Sequence, residues 1–115
     1  MLRKLLKEKI LILDGAMGTN IQKYKLSEKD YRGDLFKNHD AELKGNNELL
    51  SITKPEVIRE IHKKFFEAGA DIIESNTFGA NKISQNEYKL THYIKELNRA
   101  SVRLAKEVAK ELIEL

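Results

Sequence analysis

The stretch that decides the fold is Ala68-Gly69-Ala70-Asp71-Ile72-Ile73-Glu74-Ser75-Asn76-Thr77-Phe78. It joins the end of an amphipathic helical segment to a run typical of a strand, which extends from Ile72 to Phe78. Gly69 is suited to end the helix in the left-handed conformation that helix C-termini favour. A helix that leads so directly into a strand is typical of the second half of a βαβ unit.

The helix before this stretch is predicted to begin at Thr53-Lys54-Pro55-Glu56. A threonine followed three residues later by a glutamate has the form of a capping box, and proline is tolerated in the first turn. His62 lies beside the apolar stripe of this helix, and we interpret it as a packing histidine whose ring nitrogens are hydrogen-bonded. The stripe consists of Val57, Ile58, Ile61, Phe65 and Ala68.

A second apolar run, Ile10-Leu11-Ile12-Leu13, lies upstream and is stopped by Asp14-Gly15. A short run that is apolar on both faces suits a buried parallel strand better than a half-exposed antiparallel one. In residues 2–9, leucines recur at helical spacing between basic residues, which predicts a short amphipathic helix.

The rest of the chain is predicted to be loop and helix. Residues 15–52 are rich in glycine and asparagine, with short helical pieces near 19–24 and 27–31. Residues 79–86 are interpreted as a polar loop. From about residue 92 to residue 115 the pattern is helical again, with one side formed by Ile94, Leu97, Ser101, Leu104, Val108 and Leu112.

The predicted order is helix, strand, long loop, helix, strand, loop and helix. Parallel strands joined by a crossover helix place the sequence in the α/β class. Two parallel strands cannot form a sheet that helices cover on both faces. We therefore expect the opening units of a larger parallel fold, and an incomplete one.

Composition narrows the class of protein. The chain has 115 residues, 41% of them hydrophobic, and a net charge of +3, which suits one small ordered domain. It contains no cysteine, so disulfides and thiolate metal ligands are excluded. No apolar run approaches the roughly 20 residues that span a membrane, and the charged N-terminus is unlike a secretory signal, so we expect a cytoplasmic protein. Interleaved charges of both signs argue against nucleic-acid binding.

Two polar segments follow the predicted strands, Asp14 to Thr19 and Glu74 to Phe78. The carboxyl ends of parallel strands share one rim, where α/β folds place their sites, so we expect the two segments to meet. An aspartate that ends a strand and is followed by Gly15 and Gly18 leaves backbone amides open to a ligand. The same residues also fit an ordinary tight turn, and both interpretations stay open.

Glu74 interrupts a predicted buried strand, with Asn76 on the same side by strand alternation. A carboxylate at such a place is costly unless it is paired or binds something. One interpretation is that Glu74 holds an ammonium group of a ligand. The other is a structural salt bridge with a lysine or arginine elsewhere in the fold.

Four motifs resemble one known family in both order and spacing. They are Leu13 to Thr19, Leu43 to Asn47, Lys54 to Ile58 and Ala68 to Phe78. Together they resemble the homocysteine S-methyltransferases, and in particular the N-terminal, homocysteine-binding domain of cobalamin-dependent methionine synthase. The resemblance covers essentially all of residues 1–115, and Gly45-Asn46-Asn47 favours the cobalamin-dependent branch.

The resemblance implies a fold, a reaction and a set of site residues. The fold is the TIM (β/α)8 barrel, which needs ~250 residues, so residues 1–115 would be its N-terminal part and reach about the second barrel helix. The reaction is the methyl transfer of methionine biosynthesis, from methylcobalamin and methyltetrahydrofolate to a zinc-activated homocysteine thiolate. The implied homocysteine-binding residues are Asp14, Gly15 and Ala16, with Glu74, Asn76 and Thr77 as weaker candidates.

The missing cysteines depart from the family's pattern, because its zinc ligands are cysteines from late barrel strands. We therefore expect no catalytic or metal-binding residue in this chain, no zinc or cobalamin bound by it alone, and no activity in isolation. The expected partners are homocysteine, the remainder of the barrel, and cobalamin and folate modules. Two alternatives stay open: one half of a split barrel, or a non-catalytic binding or assembly module that self-associates through open strand edges.

Overall fold

The structure is a computed structural model that describes residues 1–113. Most of the regular structure in this part is helical. Two 3-10 turns, Asn47–Leu49 and Thr91–Tyr93, precede helices α4 and α7 directly. The helices are α1 (Leu2–Glu8), α2 (Met17–Gln22), α3 (Glu28–Arg32), α4 (Leu50–Thr53), α5 (Pro55–Glu67), α6 (Lys82–Asn86) and α7 (Ile94–Ile113).

The two predicted strands are reduced to one parallel bridge between Leu13 and Ile72. The Asp14 N–H donates to the Ile72 carbonyl at 2.9 Å, and the Ile72 N–H donates to the Ile12 carbonyl at 3.2 Å. The predicted adjacency and parallel direction are confirmed, but within residues 1–113 no longer strand forms. Two strands alone are marginal, because each needs a second neighbour or a packed face to extend its ladder.

The prediction that the first strand is buried was wrong for the same reason. Ile10 is 89% exposed and Ile12 is 57% exposed, because no described segment packs over them. Helix α1 has the predicted bounds within one residue, yet none of its residues is buried. The N-terminal part of the chain therefore contributes little to the core.

The core lies where α4, α5 and α7 pack together. The stripe predicted for α5 is confirmed at Val57, Ile58 and Ile61, which are all buried. The side predicted for α7 is also confirmed, at Leu97, Ser101, Leu104 and Val108. The prediction that this helix continues to residue 115 lies partly outside the described residues, which end at Ile113. No helix within residues 1–113 is both long enough and apolar enough to cross a membrane.

The ends of α5 differ in how well the sequence predicted them. Gly69 has φ +110°, and the Ala70 N–H donates to the Phe65 carbonyl at 3.0 Å, which is the predicted glycine C-terminus. The capping box at Thr53 is not formed, since Lys54 is the N-cap residue and no side chain caps the helix. The Thr53 hydroxyl is already used within α4, where it donates to the Leu49 carbonyl at 3.3 Å.

The long segment between residues 15 and 52 is ordered by side-chain hydrogen bonds to the backbone. Ser27 and Asp30 form a capping box at the start of α3, which is close to the predicted helical piece.

Residues 82–86, predicted as loop, form α6, because the Asn81 side chain accepts the Ser84 N–H at 2.9 Å and so caps a helical turn.

Glu28 and Arg32 hold the middle of this segment against α3. The Glu28 carboxylate accepts the Leu43 N–H at 2.9 Å and the Lys44 N–H at 2.9 Å. Arg32 donates to the carbonyls of His39 at 2.7 Å and Ala41 at 2.9 Å. Burial opposes ionisation of Glu28, but these N–H groups and Arg32 outweigh it and hold the carboxyl pKa below its usual value.

Replacing Glu28 with glutamine should lower the free energy of unfolding by about 1–3 kcal/mol, because charge-assisted hydrogen bonds to two backbone N–H groups and one arginine are weakened. Chemical denaturation monitored by circular dichroism measures this change. The matched control is Glu42→Gln at an exposed position, which should change the free energy by less than about 0.5 kcal/mol. Equal effects of the two substitutions would contradict the anchoring role of Glu28.

His62 is fully buried on α5, but the prediction that its ring is hydrogen-bonded was wrong. Neither ring nitrogen has a hydrogen-bond partner within the described residues. Burial lowers the pKa of His62 below its usual value, because a charged imidazolium would lose its hydration there. The ring is therefore neutral in the folded chain at pH 7.

The stability of the chain should fall as the pH drops below about 6.5, the pKa that His62 regains on unfolding. The unfolded state then binds a proton that the folded state excludes, and this costs up to about 1.4 kcal/mol of stability per pH unit. Denaturation curves at pH 7.5 and 5.5 measure the loss. His62→Leu should reduce it, whereas His92→Gln, at an exposed histidine, should not. The same pH dependence in wild type and His62→Leu would contradict this assignment.

Candidate functional site

A pocket of about 320 Å³ lies where the two bridged segments end. Of the six predicted site residues, the structure brings five into its lining, and Ala16 is the exception. The lining also includes six other residues, of which four lie in the two predicted site segments and only Asn47 and Glu48 lie outside them. The predicted members are Asp14, Gly15, Glu74, Asn76 and Thr77, and the others are Met17, Gly18, Asn47, Glu48, Ser75 and Phe78.

Asp14 connects the two segments that form the pocket. Its Oδ2 accepts the Glu74 N–H at 3.2 Å, so the carboxylate reaches across to the second segment. Burial raises the pKa of the Asp14 carboxyl, while the hydrogen bond from Glu74 opposes this change. This contact joins the two predicted site segments directly, whereas a tight turn alone would keep Asp14 within its own loop.

The Gly15-Ala16 backbone leads from Asp14 into α2. Ala16 is the N-cap residue of that helix, and its carbonyl accepts the Asn20 side-chain N–H at 2.8 Å. Within residues 1–113, the backbone N–H groups of Gly15 and Ala16 donate no hydrogen bond. These two donors remain open to a ligand.

The second segment does not place its polar residues as predicted. Glu74 is exposed, so its carboxylate carries no burial cost, and the expectation of a charge inside a buried strand was wrong. Strand alternation fails here because no extended strand continues past Ile72. The Thr77 and Ser75 hydroxyls instead bond to each other at 2.9 Å across a turn.

Asn76 is buried, and its side chain is used inside the protein. Its Nδ2 donates to the Asn47 carbonyl at 2.9 Å, and the Asn76 carbonyl accepts the Ser101 hydroxyl at 3.0 Å. Tyr31 donates to the Asn47 Oδ1 at 2.9 Å from the other side. The same Nδ2 also donates to the Ser51 hydroxyl at 3.4 Å, so the Asn76 side chain fixes the pocket wall.

Buried amide side chains hold the segment that follows the pocket residue Thr77. Gln85 donates to Asn46 at 3.0 Å and to the Gly79 carbonyl at 2.9 Å, and it accepts from Asn46 at 2.8 Å. Asn98 donates to the Ala80 carbonyl at 2.8 Å. Both Asn46 and Gln85 are fully buried, so the segment after Thr77 is held rigidly against α6 and α7.

The pocket offers carboxylate, amide and hydroxyl groups but no set of metal ligands. Within the described residues, no three histidine, cysteine, aspartate or glutamate side chains are grouped so that they could hold a metal ion. The 115 residues include no cysteine to supply a thiolate. The residues of this chain therefore do not fit the zinc ion that the resemblance implies.

Comparison with known proteins places these residues in a family. A family model described as homocysteine S-methyltransferase matches residues 11–114. The chain belongs to that family. It is also similar to the crystal structure of the homocysteine methyltransferase MmuM from Escherichia coli in its metallated form, with a TM-score of 0.72 and 25% sequence identity. The match covers 98% of this chain and 35% of the MmuM chain, so this chain spans about a third of that enzyme.

Replacing Gln85 with leucine should lower the free energy of unfolding by at least about 2 kcal/mol. Asn46 and the Gly79 carbonyl would then be buried without their partners, and each such group costs about 1–3 kcal/mol. Chemical denaturation measures this change. Gln22→Leu is the control, because Gln22 is an exposed residue of α2. A loss no larger than that of the control would show that the buried amides do not support the pocket.

Proposed function

We propose that this chain provides the homocysteine-binding opening of a homocysteine S-methyltransferase. The observation that carries the proposal is the Asp14–Glu74 hydrogen bond, which joins the two predicted site segments around one pocket. The family match supports the same assignment over residues 11–114. The role proposed for this chain is binding and orientation of the substrate.

The amino-acid end of homocysteine fits the chemistry of this pocket. The Asp14 carboxylate is a partner for the ammonium group, and its Oδ1 has no hydrogen bond to a neighbouring residue within the described part of the chain. The open N–H group of Gly15, which lines the pocket, is a donor for the substrate carboxylate. Glu74 and Thr77 line the same pocket as further polar contacts.

The complete reaction is a methyl transfer to the homocysteine sulfur that yields methionine in the cytoplasm. Zinc would supply sulfur activation in the complete family enzyme, but the donors of this chain do not fit it, so that step belongs to other residues. We assign the methyl donor to methylcobalamin, since Gly45-Asn46-Asn47 resembles the cobalamin-dependent branch. The partners would then be the remainder of the barrel and the cobalamin and folate modules.

The 115-residue chain should bind L-homocysteine under reducing conditions, and Asp14→Asn should weaken this binding by about tenfold or more, because the ammonium group loses its ionic partner. Titration calorimetry measures the affinity, and denaturation of the same variant measures folding. An equal loss of affinity and stability would favour a purely structural turn. The chain alone should form no methionine from homocysteine and a methyl donor, and measured turnover would contradict that expectation.

A second candidate function is an assembly module without catalysis, and the exposed apolar side chains favour it. They include Ile10, Ile12, Leu13, Phe78 and Ile83. Such groups beside unpaired backbone edges would be covered by a second copy or by a separately supplied half of a barrel. Light scattering coupled to size exclusion separates the cases: a cooperatively melting dimer supports the module, whereas aggregation supports the opening of a larger barrel.

A further inference from the structure

Glu48 lines the same pocket from a third part of the chain, and the sequence motifs gave it no role. It lies in the 3-10 turn Asn47–Leu49, where its neighbours are firmly held. Leu49 is fully buried in the core, and Asn47 bonds to both Tyr31 and Asn76. The backbone that carries Glu48 is therefore fixed, which limits where its carboxylate can lie.

Gly79 provides the space that this carboxylate occupies. A Cβ atom built on Gly79 would lie 2.6 Å from Oε1 of Glu48, and real Cβ contacts are essentially never that short. Gly79 is buried, and its carbonyl is held by Gln85, so its backbone cannot easily move away. Any side chain at position 79 would have to push the Glu48 carboxylate out of its place.

The Glu48 carboxylate has no cationic partner in the described part of the protein. None of its oxygens lies in a salt bridge there, and no lysine or arginine lines the pocket. Burial raises the pKa of the Glu48 carboxyl, with a hydrogen bond from the Gly79 backbone opposing it. A half-buried carboxylate without a cation is stabilised when a ligand brings one.

We propose that Glu48 is a specificity-determining residue of this site, a second carboxylate that binds the ammonium group of the amino-acid substrate opposite Asp14. This inference rests on the proposed function, since it takes homocysteine as the ligand. Asp14 comes from the first bridged segment and Glu48 from the turn before α4, so the two would approach the ammonium group from different walls of the pocket. Gly79 is then required because it leaves room for Glu48.

The test compares L-homocysteine with 4-mercaptobutanoate, which has the same thiol and carboxylate but lacks the amino group. The wild-type chain should bind homocysteine more tightly, and Glu48→Gln should reduce this preference by about tenfold, mainly through loss of homocysteine affinity. Gly79→Ala should reduce the preference in the same direction by displacing the carboxylate. Glu42→Gln, at an exposed position, is the matched control and should leave the preference unchanged.

The possible results separate this inference from the proposed function. If Glu48→Gln weakens both ligands equally, Glu48 has a structural role and the inference is wrong, although the proposed function stands. If the wild-type chain binds neither ligand, both the inference and the proposed function are wrong. A second check needs no variant and uses wild-type protein with carbon-13-labelled glutamate. The carboxyl resonance of Glu48 should shift when homocysteine is added and should not shift when 4-mercaptobutanoate is added. Equal shifts with the two ligands would overturn the inference.

Discussion

The pairing of the two site segments depends on a reciprocal pair of carboxylate contacts around the Leu13–Ile72 bridge. Asp14, next to Leu13, accepts the Glu74 N–H, and Asp71, next to Ile72, accepts the Ile12 N–H at 3.0 Å. Each aspartate thus binds a backbone donor of the opposite segment, on either side of a very short ladder. These contacts replace ladder hydrogen bonds that a longer sheet would provide. They add to the backbone hydrogen bonds that already join the two segments, from Asp14 to Ile72 at 2.9 Å and from Asp71 to Ile12 at 2.8 Å.

The alignment determines where the pocket lies and what encloses it. Because the bridge is parallel, both segments leave it in the same direction, and the chain between them must cross back as helices. That crossover brings the turn at Asn47 to the pocket, where Asn76 hydrogen-bonds to its carbonyl. The core that supports this arrangement is formed by α4, α5 and α7. Packed helices and buried amide side chains therefore support the site, and the exposed strand residues mainly connect its two segments to each other.

The sequence predicted those features that depend on local pattern. Helices α5 and α7 follow from the period of their apolar residues, and the end of α5 follows from Gly69. The length of the two strands was overestimated. A run such as Ile72–Ile73 has the residue types that strands prefer, but a strand also needs paired neighbours, and the described residues do not supply them. Glu48 had no periodic signal, since its place depends on contacts with Gly79, which is distant in sequence. The capping box at Thr53 failed because a competing contact inside α4 already uses its hydroxyl.

Within the proposed function, the chemistry of the pocket favours separate residues for substrate recognition and for activation of the sulfur atom. Carboxylates and open backbone N–H groups suit the ammonium and carboxylate ends of an amino acid. In a barrel, successive units each contribute side chains to one shared rim, so recognition and sulfur activation can come from different units. A chain that spans about a third of a related enzyme can therefore retain one of these tasks without the other. Substrate recognition is the task proposed for this chain, because the described residues that line its pocket supply carboxylate, amide and hydroxyl groups without forming a group of three metal ligands.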